Sequence, residues 1–190
     1  MSEPTISTLP PGPVPFEGAA SHDLLCRHLI QVLRAAFEGK TGQVLEGECL
    51  GIELEGCELC PDAAIFRSSA ENIEQGNQNS ATSPSVSAIF EVMTSESSGF
   101  DRGAKFEAYA KIETLSHYVL LETDRMAVEH FQRVKDGWLL RFWGRTGDVL
   151  RFGDLELEIS LGEIYANLPF PERSGTAQSV ARREADATAK

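Results

Sequence analysis

Apolar residues first recur at helical spacing in SHDLLCRHLIQVLRAAFEG, where Leu25, Leu29, Val32 and Ala36 form one stripe and Leu33 and Phe37 lie beside it. Ser21 is placed to cap this helix and Gly39 to end it, giving an amphipathic helix of about four turns. Residues 42–50 and 51–56 then alternate apolar and polar positions, the period of half-buried strands. Residues 62–66, after Pro61, read as another short strand. Residues 86–93, VSAIFEVM, are apolar on both faces, as expected of a central strand covered on both sides. A helix follows over 98–113, with Asp101, Lys105, Ala108, Tyr109 and Ile112 on one face. Strands are expected at 117–123, 127–134 and 138–143, the last two joined by the turn signal Lys135-Asp136-Gly137. Short strands at 149–152 and 155–159 and a short helix capped by Ser160 close the pattern. The order predicts an α+β fold, a mixed sheet flanked by helices with additional antiparallel hairpins, rather than a doubly wound array. No glycine-rich phosphate loop follows a strand.

The periodic pattern fades at both ends. Residues 1–20 hold Pro4, Pro10, Pro11, Pro13 and Pro15 and are expected to be a mobile segment. Residues 171–190 are small and polar and are expected to be a disordered tail. A single domain over 21–170 remains, as a chain of 190 residues suggests. No run of 18 apolar residues and no signal-peptide pattern occurs, so the expected compartment is the cytoplasm, with no membrane partner and with reduced thiols. Lys and Arg total 17 against 29 Asp and Glu, a net charge of −12. That charge excludes nucleic-acid binding through a broad basic face; any such binding needs a local, metal-assisted site.

The chemistry concentrates where polarity breaks the apolar pattern. Glu91 interrupts a strand that otherwise buries both faces, and a buried carboxylate is paired, protonated or metal-bound. Asp62 opens the neighbouring strand, so two carboxylates could converge on one divalent cation. Lys105 lies on the helix face that should meet the sheet, within reach of Glu91. The residue types alone also fit a purely structural reading, in which Glu91 pairs with Lys105, Lys105 pairs with Asp101 at i, i+4, and Asp62 is a strand-start residue. Cys57 and Cys60 form a lone CxxC pair, short of the two pairs usual in a structural zinc site. Trp138, Phe142 and Trp143 suit sheet packing or a homodimer contact better than base stacking.

Pro61-Asp62, then Glu91-Val92, then the block Asp101-Arg102-Gly103-Ala104-Lys105-Phe106-Glu107-Ala108-Tyr109 resemble the Uma-type family within the PD-(D/E)XK restriction-endonuclease-like superfamily. His117-Tyr118-Val119-Leu120-Leu121, Asp136-Gly137-Trp138, Leu161-Gly162-Glu163-Ile164-Tyr165 and Ser21-His22 fit it in the same order. The resemblance implies a restriction-endonuclease-like core and an enzyme that hydrolyses nucleic acid, DNA in preference, with Mg²⁺ or Mn²⁺. It implies Asp62, Glu91 and Lys105 as catalytic residues, with Asp62 and Glu91 on the metal. His22, Asp101, Arg102 and Tyr109 become substrate-contacting or supporting residues; for Arg102 a solvated surface position is the alternative. The superfamily's usual lysine, two residues after the second acid, is Met93 here, and Lys105 stands on the following helix instead. The alternative reading is a catalytically inactive descendant of the fold that serves as a binding or assembly module.

Overall fold

Helix α1 spans Gly18–Phe37 in the computed structural model, which describes residues 18–40, 43–46, 52–54, 57–67, 86–168 and 170. Residues 1–17 and 171–190, where mobile ends are expected, lie outside the described residues, but Gly18–Ala20 of the Pro-rich segment belong to α1. Ser21 therefore sits inside the helix and is buried instead of capping it. Ala19 and Ala20 are strong helix formers and extend the helix past it. The helix ends as expected: Lys40 donates its backbone N–H to Phe37 O at 3.1 Å, and Gly39 takes φ +76°, a conformation that favours glycine.

Among the described residues ten strands follow: β1 Gln43–Glu46, β2 Ile52–Leu54, β3 Cys57–Leu59, β4 Ala63–Phe66, β5 Val86–Met93, β6 His117–Glu122, β7 Val128–Val134, β8 Gly137–Trp143, β9 Val149–Phe152 and β10 Leu157–Ser160. Six form one mixed sheet in the order β1-β4-β5-β6-β7-β8, in which only the β5/β6 pair is parallel. Two small antiparallel pairs, β9/β10 and β2/β3, accompany it. The fold is α+β, as the order of elements predicts. β3 goes beyond that prediction: the CxxC stretch after Gly56 pairs back onto β2.

β5 is buried along its whole length because both sheet faces are covered. Leu25, Leu29 and Leu33 of α1, with Leu150, Phe152, Leu157 and Ile159, pack over Ala88, Phe90 and Val92. On the other face Tyr109, Leu115 and Tyr118, with Phe106 and Trp138 at the margin, pack around Ile89 and Met93. Parallel strands require a crossover, and here it carries helix α2. α2 runs through an α-helical turn Ser98–Phe100, a π-helical stretch Asp101–Lys105 and a further α-helical turn Phe106–Tyr109. It ends at Tyr109 rather than near residue 113. Arg133 of β7 explains the stop, donating to Ala110 O at 2.9 Å, Ile112 O at 2.8 Å and Leu115 O at 2.6 Å while stacking on Trp138. Helix α3, Leu161–Ile164, closes the fold after β10.

Candidate active site

Strand register brings the two acids together. Ala63 of β4 pairs with Phe90 of β5, so one step outward along this antiparallel ladder sets Asp62 beside Glu91. Asp62 Oδ2 accepts the Val92 backbone N–H at 2.7 Å, which fixes the carboxylate at the strand margin. Its Oδ1 lies 3.3 Å from His22 Nε2 of α1. Glu91 alternates with Ile89 and Met93 and thus points to the α2 face, where it is only 2% exposed.

The π-helical stretch supplies the cation. Lys105 Nζ donates to Glu91 Oε2 at 2.9 Å and lies 3.2 Å from Asp101 Oδ1, with Asp101 itself buried. A π-helical turn inside an α-helix often marks a functional site, and here both its ends carry site residues. Tyr118 anchors the stretch by donating its hydroxyl to Asp101 O at 2.8 Å. Glu91 Oε1 and the Tyr109 hydroxyl are buried near enough to each other for the carboxylate to raise the Tyr109 pKa, yet among the described residues neither makes a well-formed hydrogen bond. A buried polar group left so poorly satisfied costs about 1–3 kcal/mol and calls for an explanation.

Burial, the largest cause, pushes the Glu91 carboxyl up to about 8; Lys105 pulls it down, and Asp62 and Asp101 push it up. Lys105 is held above its usual value: burial opposes this, but Glu91 and Asp101 outweigh it. His22 is raised to about 11, first by its hydrogen bond to Asp62 and then by Cys26. Three carboxylates thus lie along one run of contacts, Glu91 and Asp101 on Lys105 and Asp62 on His22, and a divalent cation between Asp62 and Glu91 would offset the cost of burying the Glu91 carboxylate.

Of the residues expected from sequence, Asp62, Glu91, Lys105, Asp101, Tyr109 and His22 form one connected cluster. Arg102 does not join it. Its guanidinium sits on Glu129 at 2.7 Å and Glu122 at 3.0 Å, on the adjoining strands β7 and β6. Met93, at the superfamily's usual lysine position, is buried in the apolar layer, and the lysine beside Glu91 comes from α2 instead. Cys60 is an exposed free thiol.

Sequence reasoning missed two groups. Cys26, one helical turn after His22, places Sγ 3.6 Å from His22 Nδ1 and 3.8 Å from Nε2, so His22, Cys26 and Asp62 gather their donor atoms within 4.8 Å. The i, i+4 spacing of His22 and Cys26 was the available signal. The second group lies on the other sheet face. His117 Nδ1 is 2.9 Å from His130 Nε2, His117 Nε2 is 2.5 Å from Asp154 Oδ1, and Ser116 Oγ lies 2.7 Å from Asp154 Oδ2. The sequence pattern placed both histidines on strands without assigning them a face, and nothing local announced Asp154 as their partner.

Residues 13–162 match the Uma2 family, described as "Putative restriction endonuclease". Among related chains, "Uncharacterized protein sll1609" of Synechocystis is 29% identical over 67% of this chain and 72% of its own length. "Uncharacterized protein slr1290" of the same organism is 25% identical over 58% of this chain and 56% of its own length. A crystal structure titled as a putative nuclease belonging to DUF820 from Anabaena variabilis superposes with a TM-score of 0.59, covering 85% of each chain at 10% identity, and so shares the fold. No helix among the described residues is long and apolar enough to cross a membrane.

Proposed function

The chain belongs to the Uma2 family, and on that premise we propose that it is a divalent-metal-dependent nuclease that hydrolyses phosphodiester bonds, with DNA as its substrate. The observation that carries the reading is the pair Asp62 and Glu91, set side by side by the β4/β5 register, with Lys105 on Glu91 Oε2 and a buried Glu91 Oε1 that makes no well-formed hydrogen bond among the described residues. The donor set fits a hard cation: both carboxylates offer free lone pairs, and Mg²⁺ or Mn²⁺ takes one or two carboxylates and completes its shell with water and phosphate oxygens.

Asp62 and Glu91 hold the ion. When bound, such an ion polarises a phosphoryl oxygen and lowers the pKa of a coordinated water. Val92 N–H and His22 keep the Asp62 oxygens oriented. Lys105, fixed by Glu91 and Asp101, presents an ammonium that offsets the charge developing at phosphorus. Asp101 and Tyr109 are positioning residues, the first acting through Lys105 and the second bordering Glu91. A single domain over 21–170 carries the site. Two copies pair through the β8 edge, where Leu139 and Phe142 are exposed; elution as a monomer at micromolar concentration contradicts that pairing.

The test is nicking of supercoiled plasmid in Mg²⁺ or Mn²⁺ by the wild type, Glu91→Gln and Asp62→Asn. Cleavage by the wild type that both variants lose is expected. Equal cleavage by all three refutes the assignment. No cleavage and no metal binding favours the alternative, a binding module, which the net charge of −12 and the ion-paired Arg102 would suit.

A further inference from the structure

We propose that His22 Nε2, Cys26 Sγ and Asp62 Oδ1 form a second metal site, one that takes a thiophilic divalent cation, Zn²⁺, with the fourth position open to water. The site shares Asp62 with the proposed nuclease centre but does not require that centre to be active.

The spacing of the donors carries the argument. A tetrahedral zinc with Zn–S of about 2.3 Å and Zn–N and Zn–O of about 2.0–2.1 Å separates sulfur from nitrogen by about 3.6 Å and nitrogen from oxygen by about 3.3 Å. The observed separations are 3.8 Å for Cys26 Sγ to His22 Nε2 and 3.3 Å for His22 Nε2 to Asp62 Oδ1; the sulfur also lies 3.6 Å from Nδ1, so the Cys26 thiol or the His22 ring turns to bring Sγ toward the Nε2 lone pair as the ion binds. All three donors lie within 4.8 Å of one another.

The supporting contacts also suit a metal site. The other Asp62 oxygen is tied to the Val92 N–H, so the carboxylate is oriented by the sheet. The other His22 nitrogen lies 3.5 Å from the exposed Asp23 carboxylate, within reach of a supporting contact once Nε2 takes a metal. His22 and Cys26 stand one turn apart on a regular helix, so their relative position is set by backbone geometry. The His22 and Asp62 side chains are 29% and 22% exposed, which leaves a path for the ion and room for a water.

The donor set discriminates between metals. Thiolate with imidazole selects zinc and its softer neighbours, whereas Mg²⁺ takes oxygen ligands. Zinc at this site would engage the carboxylate that the proposed nuclease centre also uses, so the two ions are mutually exclusive or strongly coupled.

The test is titration of the full-length, reduced, metal-free protein with Co²⁺ as a spectroscopic substitute for zinc. Expected are a sulfur-to-cobalt charge-transfer band, intense visible bands of four-coordinate cobalt, saturation at one ion per chain, and loss of both bands when Zn²⁺ is added. Cys26→Ala and His22→Gln are expected to abolish the charge-transfer band or weaken Zn²⁺ binding beyond the about 10–100-fold typical of losing a supporting partner. Cys26→Ser, nearly isosteric, guards against a folding failure and should likewise lose the sulfur band. Glu91→Gln is expected to keep the bands whatever its effect on cleavage, which separates this site from the nuclease reading. A Cys57→Ser/Cys60→Ser double variant is expected to keep them too. No charge-transfer band in the wild type, or one that survives Cys26→Ala and disappears with Cys57 and Cys60, overturns the proposal.

Discussion

The two polar clusters inside this fold stand about three residues apart along the parallel strands β5 and β6, on opposite faces of the sheet. The His117–His130–Asp154 cluster satisfies its members. Burial holds both rings toward the neutral form, and the tautomers that then satisfy them donate His117 Nε2–H to Asp154 and His130 Nε2–H to His117 Nδ1, while Ser116 donates to the second Asp154 oxygen. The Glu91 cluster is less complete: Lys105 holds two carboxylates, Glu91 and Asp101, Asp62 stands beside them on His22, and Glu91 Oε1 and the Tyr109 hydroxyl are buried near each other without a well-formed hydrogen bond. A satisfied buried network rigidifies a fold. An unsatisfied one costs stability and persists where chemistry needs it. The contrast is the strongest physical reason for assigning function to one cluster and structure to the other.

Substitutions should split the two regions. Glu91→Gln is expected to reduce cleavage below detection and at the same time to raise Tm by about 2–4 °C, because it removes a desolvated carboxylate worth about 1 kcal/mol while Lys105 keeps Asp101. Lys105→Met should lower kcat by about 10²–10³-fold, as loss of a charge-stabilising donor does. Steady-state nicking and thermal melts read both effects. A fall in Tm for Glu91→Gln would mean that the carboxylate is structural.

His117→Ala should do the reverse. It leaves a cavity and an unpaired His130 Nε2–H in the core, a cost of about 2–4 kcal/mol, while Asp154, partly exposed, keeps Ser116 and water. Tm should drop by about 5–15 °C, with cleavage at low temperature unchanged.

Acid sharpens the same comparison. Burial holds His130 down to about 3, helped by His117 and Arg141, and burial holds His117 below its usual value despite Asp154. At these two sites the unfolded chain therefore binds more protons between about pH 6.5 and about pH 3, which lowers stability as pH falls through that window; Glu91, raised to about 8, acts in the opposite sense between about pH 8 and 4.5 and offsets part of it. The slope is at most roughly 1.4 kcal/mol per pH unit per histidine. Denaturant melts from pH 7 to 4 should show this limb, and His130→Gln should flatten it. The smallest effect belongs to Arg102→Ala: its ion pairs to Glu122 and Glu129 are partly exposed, so a denaturant melt should shift by less than about 1 kcal/mol.

Much of this was legible in the sequence because it rests on local pattern. The two-faced apolar run of β5 identified the central strand, and the same run made Glu91 conspicuous. The stripe on the following helix placed Lys105 toward the sheet. The expected hairpin at Lys135-Asp136-Gly137 is present, with Gly137 at φ +143°. What local pattern could not supply was long-range pairing. Asp154 reaches His117 from 37 residues away. Cys26 becomes a neighbour of Asp62 only after α1 docks on the sheet. The π-helical stretch in α2 was equally hidden, since a regular helix and a bulged one share the same apolar spacing over so few residues.

The most direct test of the central claim is calorimetric titration of Mn²⁺ into the wild type, Glu91→Gln and His130→Gln proteins below their melting temperatures. The account predicts that the wild type and His130→Gln bind Mn²⁺ alike and that Glu91→Gln has lost the binding heat. Binding by Glu91→Gln as tight as that of the wild type would contradict it.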